Sequence, residues 1–148
     1  MKPNLFIILL FVCSLMACNN PESKEKNDSD QSNSGKTCYA KFDRDTIQLS
    51  LLSTGDSVSG TLRYKLFQKD ENNGSIHGNF RADTLFGEYV FQSEGMQSIR
   101  EIVFLRKNGS LIQGIGPVEE QGNRQYFTDY KQIRFDSGIE LKKSGCPN

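Results

Sequence analysis

The chain contains few side chains whose type and spacing could support catalysis. His77 is the one histidine, and it alternates with three residues of an apolar face, Ile76, Gly78 and Phe80. In a strand this alternation places His77 on the opposite face. No nucleophile with a recognisable local motif accompanies it. The sequence therefore predicts an exposed, non-catalytic histidine and a protein that is not an enzyme.

Two adjacent charges, Arg100 and Glu101, interrupt the apolar segment 99–105. Consecutive side chains of a strand point to opposite faces, so one of the two charges faces the interior unless a bulge intervenes. A buried charge needs a partner, which is either a ligand or another side chain. Arg100 and Glu101 are therefore candidate ligand-binding residues, although a structural pairing is the favoured interpretation.

Residues 70–74, Asp-Glu-Asn-Asn-Gly, are rich in oxygen ligands but lack the alternating ligands and terminal glutamate of a calcium loop. Asn73-Gly74 is typical of a tight hairpin turn, because both residues accept a positive φ. A tetrahedral zinc site would need four ligands, which one histidine and two domain cysteines do not supply. The sequence predicts no metal and no cofactor.

The candidate residues described above lie in a part of the chain that has the pattern of short β-strands. After Thr37, runs of β-forming residues are interrupted at short intervals by glycine, asparagine or aspartate. In residues 58–66, Val58, Leu62 and Tyr64 share one face, which predicts a strand with one buried side. Further strands are predicted at residues 47–51, 85–91, 99–105, 111–115, 133–135 and 139–141.

We therefore expect an all-β domain, a single small antiparallel meander barrel of about eight strands. A two-sheet sandwich is the alternative, because it produces the same period of two. A weak repeat relates residues 55–62 to residues 82–89, about one hairpin apart, and supports the meander. Gly60 and Gly87 lie at matched positions and would let the strands coil tightly. In its pattern the arrangement resembles lipocalin-like barrels on bacterial lipoproteins.

The first 18 residues have a basic start, an apolar stretch and a small-residue exit. The apolar stretch is too short for a transmembrane helix, which needs roughly 20 apolar residues. Leu15-Met16-Ala17-Cys18 resembles the lipobox of bacterial lipoprotein precursors, with Met16 departing from the usual small residue. The resemblance implies a signal peptide over 1–17 and acyl chains such as palmitate on Cys18. An ordinary signal peptide with a chance cysteine is the alternative.

Residues 18–36 contain no large apolar side chain after the cysteine and are predicted to form a disordered tether, followed by the domain at 37–148. Asn19 is not the aspartate that marks inner-membrane retention. The resemblance therefore implies the outer membrane, at its periplasmic face or the cell surface. Acidic residues in the tether resemble surface-export signals, but a solvated tether is the favoured interpretation.

If Cys13 is removed with the leader and Cys18 is acylated, Cys38 and Cys146 remain, one near each end of the domain. The compartment would be oxidising. The first and last strands of a closed meander are neighbours, so we expect a disulfide between these cysteines. Two free thiols or an intermolecular partner are the alternatives.

Three Asp-Ser/Thr-aliphatic triplets resemble the acceptor of a periplasmic O-glycosylation system of some Gram-negative bacteria. The resemblance implies possible modification at Thr46, Ser57 and Thr84. An aspartate followed by serine or threonine also closes a turn before a strand, and this is the favoured interpretation.

The 18 acidic and 18 basic residues cancel, so no bulk charge draws the chain to nucleic acid.

The first functional prediction is a cell-envelope module that binds a small apolar molecule or a peptide through Tyr64, Tyr89 and Phe91. The alternative is a structural lipoprotein, or one that binds another envelope protein, with a packed barrel core. A lumen above about 300 Å³ lined by Tyr64 and Tyr89 would favour the first.

Overall fold

The computed structural model describes residues 35–147, and these form ten β-strands and one short 3₁₀ turn at Tyr130–Gln132. No helix in this part of the chain is long and apolar enough to cross a bilayer. The strands are β1 (Gly35–Phe42), β2 (Thr46–Thr54), β3 (Ser57–Lys65), β4 (Glu71–Arg81), β5 (Thr84–Ser93), β6 (Met96–Lys107), β7 (Ser110–Gln113), β8 (Val118–Gln121), β9 (Arg124–Phe127) and β10 (Glu140–Ser144).

Eight of these strands close into an antiparallel barrel. Successive hairpins join β1 through β7, and β10 completes the circle by pairing with both β7 and β1. Closure gives each barrel strand a neighbour on both sides, although β10 pairs with β1 at three positions and with β7 at two. The predicted small antiparallel meander barrel is confirmed, and the alternative two-sheet sandwich is not adopted.

The strands β8 and β9 form an additional hairpin outside the barrel. The strand β7 pairs only with the last four residues of β6, at positions 104–107. The earlier part of β6 therefore offers backbone groups to β9, which pairs with it in parallel at Ile99↔Arg124 and Arg100↔Gln125. The strand β8 in turn pairs with β9. This hairpin extends the barrel wall at one end.

The interior is filled mainly by aliphatic side chains from the inward positions of the strands. Val58 and Leu62 are buried, as the alternation in β3 predicts. Fully burying one such side chain stabilises the fold by about 1.5–3 kcal/mol. The other buried aliphatic residues of this core are Ile47, Leu49, Leu51, Ile76, Leu85, Ile102, Leu111 and Leu141.

Interior glycines let neighbouring strands approach closely. A Cβ on Gly60 would lie 1.8 Å from the carbonyl oxygen of Ser50, and one on Gly87 would lie 2.7 Å from that of His77. Neither position has room for a side chain, so both glycines serve the tight coiling that closure of a small barrel requires. The predicted role of Gly60 and Gly87 is confirmed.

Hairpin turns lie at Gly55, Gly109 and Gly122, but the turn predicted at Asn73-Gly74 is wrong. Gly55, Gly109 and Gly122 have φ of 60°, 78° and 62° in their hairpins. Asn73 and Gly74 instead lie inside β4, where they pair with β3. The Asn-Gly pair permits a turn without requiring one, and pairing of β4 with both neighbours satisfies its backbone groups. The chain reverses at 66–70, where Gln68 has φ 55°.

Two other predicted strands need correction. Residues 133–135 form only an isolated bridge, between Ile115 and Arg134. The strand expected at 111–115 ends at Gln113, because the chain leaves the barrel there to form the β8–β9 hairpin.

The disulfide predicted between Cys38 and Cys146 is confirmed, with a Cα–Cα distance of 5.1 Å. Cys38 lies opposite Ser144 in the β1–β10 pairing, so barrel closure brings the two cysteines together. The strand β1 begins at Gly35, two residues before the domain boundary predicted at 37. The leader, Cys18 and the rest of the tether lie outside the described residues.

Candidate functional site

A cavity of about 320 Å³ opens at one end of the barrel. It lies where β3 ends, β4 begins and β7 ends, so the loops after β1, β3 and β5 surround this end, which we call the mouth. Its lining residues are Tyr64, Leu66, Asn72, Tyr89, Arg100, Glu101, Ile102, Gln113, Gly114, Ile115, Gly116, Val118, Gln125, Phe127 and Ile139.

The predicted aromatic candidates Tyr64, Tyr89 and Phe91 lie together beside this cavity. The Tyr64 and Tyr89 rings meet edge to face, with centroids 5.8 Å apart, and Phe91 stacks on Tyr89 at 4.6 Å. Tyr64 and Tyr89 line the cavity, whereas Phe91 supports Tyr89 from the core. Aromatic pairs in these arrangements add about 0.5–1.5 kcal/mol beyond their buried area. These contacts pack the two cavity-lining tyrosines against the core on this side.

The two tyrosine hydroxyls have different surroundings. Tyr64 Oη donates a hydrogen bond to Gln113 Oε1 at 3.2 Å. Tyr89 is only 2% exposed, and its hydroxyl has no hydrogen-bond partner among residues 35–147. Burial raises the pKa of Tyr89 to about 12, and burial together with the neighbouring Tyr89 raises the pKa of Tyr64. Both phenols are neutral hydrogen-bond donors near pH 7.

The predicted pair Arg100 and Glu101 does point to opposite faces. Arg100 lies opposite Tyr89 in the β5–β6 pairing, and its guanidinium lies 4.8 Å from the centroid of the Phe91 ring. Arg100 is exposed at the mouth, so the expectation of a fully buried charge is not met. It takes part in none of the ion pairs formed within the described part of the chain.

Glu101 has structural partners, as the favoured interpretation predicted. Its Oε2 accepts hydrogen bonds from the Phe127 backbone N–H and the Tyr130 hydroxyl, both at 2.9 Å. These contacts hold the segment after β9 against the barrel. An ion pair between Arg124 and Glu88 attaches the start of β9 in the same region. Glu101 thus lines the cavity, but its carboxylate already accepts hydrogen bonds from Phe127 and Tyr130.

The β8–β9 hairpin contributes cavity residues that the sequence did not reveal. Val118, Gln125 and Phe127 all line the cavity. The turn at residues 121–123 was recognisable, but the strand Val118–Gln121 is exposed along its whole length and shows no alternation of apolar and polar residues. The available signal was the turn dipeptide alone.

The mouth lies at the opposite end of the barrel from the chain termini of the domain. The strand β1 begins at the end that carries the β2–β3, β4–β5 and β6–β7 turns, and β10 returns to that same end. The Cys38–Cys146 disulfide lies there as well. Gly35, the first described residue, therefore lies at the end opposite the mouth.

A shallower cleft of about 260 Å³ lies on the outer wall and is bordered by His77, Glu88, Glu101 and Tyr130. His77 is exposed, as predicted. Both carboxylates have partners already described, namely Arg124 for Glu88 and Tyr130 for Glu101. Across residues 35–147, no three or more histidine, cysteine or acidic side chains are grouped so as to hold a metal ion.

The predicted glycosylation residues Thr46, Ser57 and Thr84 begin β2, β3 and β5. Each therefore follows a turn, as the favoured interpretation requires. The Ser57 hydroxyl is exposed and donates to Asn79 Oδ1 at 2.9 Å. Modification at these three residues stays a prediction.

No protein-family model matches the chain, and neither curated proteins nor solved structures show significant similarity to it.

Proposed function

We propose that the domain is a non-enzymatic binding module that holds a small molecule in the cavity at the barrel mouth. The observation that carries this proposal is the cavity of about 320 Å³ lined by Tyr64 and Tyr89. Ligand cavities commonly span roughly 300–1,000 Å³. At about 30 Å³ per water molecule, the cavity has room for about ten water molecules. A ligand with about ten non-hydrogen atoms therefore fits the cavity better than a peptide does.

The chemistry of the lining supports a binding role. Leu66, Ile102 and Ile139 provide apolar surface, and the amides of Asn72 and Gln113 provide a few polar groups that orient a ligand. This combination is typical of small-molecule sites. Glu101 is the one carboxylate among the lining residues, and its contacts to Phe127 and Tyr130 leave it poorly suited to act as a general base.

The anchor through Cys18 belongs to the same proposal, with the domain held at the cell envelope, at the outer membrane. The domain begins at Gly35, at the end opposite the mouth. As the coil expected from the sequence, the 16 residues between Cys18 and Gly35 would reach roughly 22 Å. A protein held in this way would keep its cavity open to the surrounding solution.

The anchor is tested by fractionating bacteria that express the full chain. Cys18→Ser should move the protein from the membrane to the soluble fraction and remove the acyl mass, while Cys13→Ser should leave it acylated and in the membrane. Membrane retention of unacylated Cys18→Ser would contradict the lipoprotein proposal.

The cavity is tested by titrating the isotope-labelled full chain with indole, a neutral and mainly apolar molecule of suitable size, and following amide chemical shifts. We expect saturable changes centred on Tyr64, Tyr89 and Gln113. Leu66→Trp places a bulky ring at the mouth and should abolish them. Phe67→Trp is the matched control, because Phe67 is the adjacent residue, is 47% exposed and does not line the cavity.

Each result of this titration has a definite meaning. Saturable changes at the cavity that Leu66→Trp removes and Phe67→Trp preserves support the binding function. Scattered or non-saturating changes, or equal responses of the two variants, would overturn it. A thermal melt of each variant beforehand verifies that both are folded.

The alternative is a structural or protein-interaction lipoprotein. Its best support is the exposure of Phe42 and Met96, which are 66% and 68% exposed in or beside loops at the mouth end. The buried aliphatic core agrees with the packed barrel that this alternative assumed, whereas the cavity at the mouth favours the binding module. Failure of indole to enter the cavity would make this the preferred function.

A further inference from the structure

We propose that the ligand of the mouth cavity carries a carboxylate, which binds Arg100 while its apolar body enters the barrel. This inference rests on the proposed binding function and adds the chemical class of the ligand. Three features of the described residues support it: the unpaired charge of Arg100, the unpartnered hydroxyl of Tyr89 and the apolar surface beside them.

Arg100 supplies the positive charge. It is the only cationic side chain among the cavity-lining residues. The only lining carboxylate, Glu101, points to the opposite face and accepts its hydrogen bonds from Phe127 and Tyr130. The remaining polar side chains of the lining are neutral amides and phenols. Glu120 lines a neighbouring surface cleft together with Arg100, but its carboxylate accepts a hydrogen bond from Gln125, and Arg100 forms no ion pair within the described residues. Its guanidinium matches the planar, two-oxygen geometry of a ligand carboxylate.

Arg100 is also held in position. Its guanidinium lies 4.8 Å from the centroid of the Phe91 ring, and that ring is fixed by stacking on Tyr89. Cation–π contacts of this kind restrict the side chain and leave the edge of the guanidinium available. The side chain therefore loses less conformational freedom when a ligand binds.

Tyr89 would supply a second donor once a ligand enters, because its hydroxyl is fully buried in the unliganded structure and becomes reachable only when the ring turns toward the cavity. It lies directly opposite Arg100 in the β5–β6 register, and its buried hydroxyl has no acceptor within residues 35–147. The oxygens of a carboxylate and of a neutral amide both accept hydrogen bonds from a phenol and a guanidinium. Only the carboxylate also neutralises the positive charge of Arg100. Tyr64 differs, because its hydroxyl already donates to Gln113.

The apolar part of the ligand would lie against the tyrosine rings and Leu66, Ile102 and Ile139. The cavity volume suits a single aromatic ring with a short acidic arm. Because Arg100 is exposed to solvent, screening limits the electrostatic gain. We therefore expect about a 10-fold preference for the acid over its neutral amide.

The test uses phenylacetate and phenylacetamide, which have the same number of non-hydrogen atoms and differ in charge. The full chain is titrated with each by the amide-shift method at neutral pH and low salt. Phenylacetate should bind about 10-fold more tightly than phenylacetamide. Arg100→Gln should remove this preference, and Tyr89→Phe should weaken phenylacetate binding more than phenylacetamide binding.

Arg106→Gln is a matched control. Arg106 lies in the same strand as Arg100, its guanidinium lies 3.9 Å from the centroid of the Phe80 ring, and it does not line the cavity. It should keep the full preference for phenylacetate. Equal loss in both arginine variants would identify non-specific attraction of anions to the protein and overturn the inference.

The outcomes separate this inference from the function on which it rests. If indole binds at the cavity but wild-type protein binds phenylacetamide as tightly as phenylacetate, the carboxylate inference fails and the binding function stands. If indole, acid and amide all leave the cavity amides unchanged, both fail.

Discussion

Tyr64 and Tyr89 meet edge to face, with ring centroids 5.8 Å apart, yet only the hydroxyl of Tyr64 has a hydrogen-bond partner among the described residues. Tyr64 is satisfied by Gln113, whereas Tyr89 buries its hydroxyl beside the cavity with no acceptor. A buried hydroxyl that lacks a partner costs about 1–3 kcal/mol, and a hydrogen bond that is made contributes about 1 kcal/mol. The same chemical group therefore has opposite effects at two adjacent positions.

Replacing each tyrosine by phenylalanine should separate these effects. Tyr64→Phe should lower the free energy of unfolding by about 1 kcal/mol, because it removes the bond to Gln113. Tyr89→Phe should leave that free energy unchanged or raise it by up to about 1 kcal/mol, because it removes an unsatisfied group. Urea unfolding of the ligand-free protein measures both. An equal loss in the two variants would show that a water or another group satisfies Tyr89 in solution.

Stability should fall at alkaline pH. Burial raises the pKa of Tyr89 in the folded protein to about 12, above the usual value of about 10. The unfolded chain releases this proton first, so ionisation of this group leaves the free energy of unfolding unchanged below about pH 10 and lowers it as the pH rises towards 12. Urea unfolding across this range should show a smaller decline for Tyr89→Phe than for wild type. Equal slopes would contradict the raised pKa.

The Cys38–Cys146 disulfide should contribute a large share of the stability. It joins residues 108 positions apart. In the chain-entropy model a loop of this length destabilises the unfolded state by about 4 to 5 kcal/mol, comparable with the total stability of many small domains. The double variant Cys38→Ser/Cys146→Ser should lose stability of this order in urea unfolding. Reduced wild-type protein is the control, and a loss below about 1 kcal/mol in both would contradict the prediction.

Glu101 should hold the β8–β9 hairpin against the barrel. Glu101→Ala removes the acceptor for the Phe127 N–H and the Tyr130 hydroxyl, so the Phe127 amide should exchange with deuterium at least about 10-fold faster. Glu119→Ala is the control, because Glu119 accepts a hydrogen bond only from the exposed Tyr126 hydroxyl of the same hairpin. Unchanged exchange at Phe127 in Glu101→Ala would show that other contacts hold the hairpin.

The period-two alternation made much of the barrel predictable. In β3, alternation assigned Val58 and Leu62 to the interior, and both are buried. The same logic gave an exposed His77 and opposite faces for Arg100 and Glu101. The turn predicted at Asn73-Gly74 from turn propensity was wrong. Turn propensity is local, whereas pairing with β3 and β5 decided the conformation of β4. Alternation also missed the β8–β9 hairpin, because β8 is exposed and β9 is half-buried along its whole length, so neither strand has a fully buried face to produce a pattern.

The all-β class and the inward faces of β2, β3 and β5 follow from the sequence, because side-chain alternation acts over a few residues. That Tyr64, Tyr89 and Arg100 border one cavity at the mouth follows only from the three-dimensional arrangement of the strands. Their separation depends on how far the strands coil, where β7 ends and where the extra hairpin attaches to β6. These features depend on packing across the whole barrel, which no local pattern specifies.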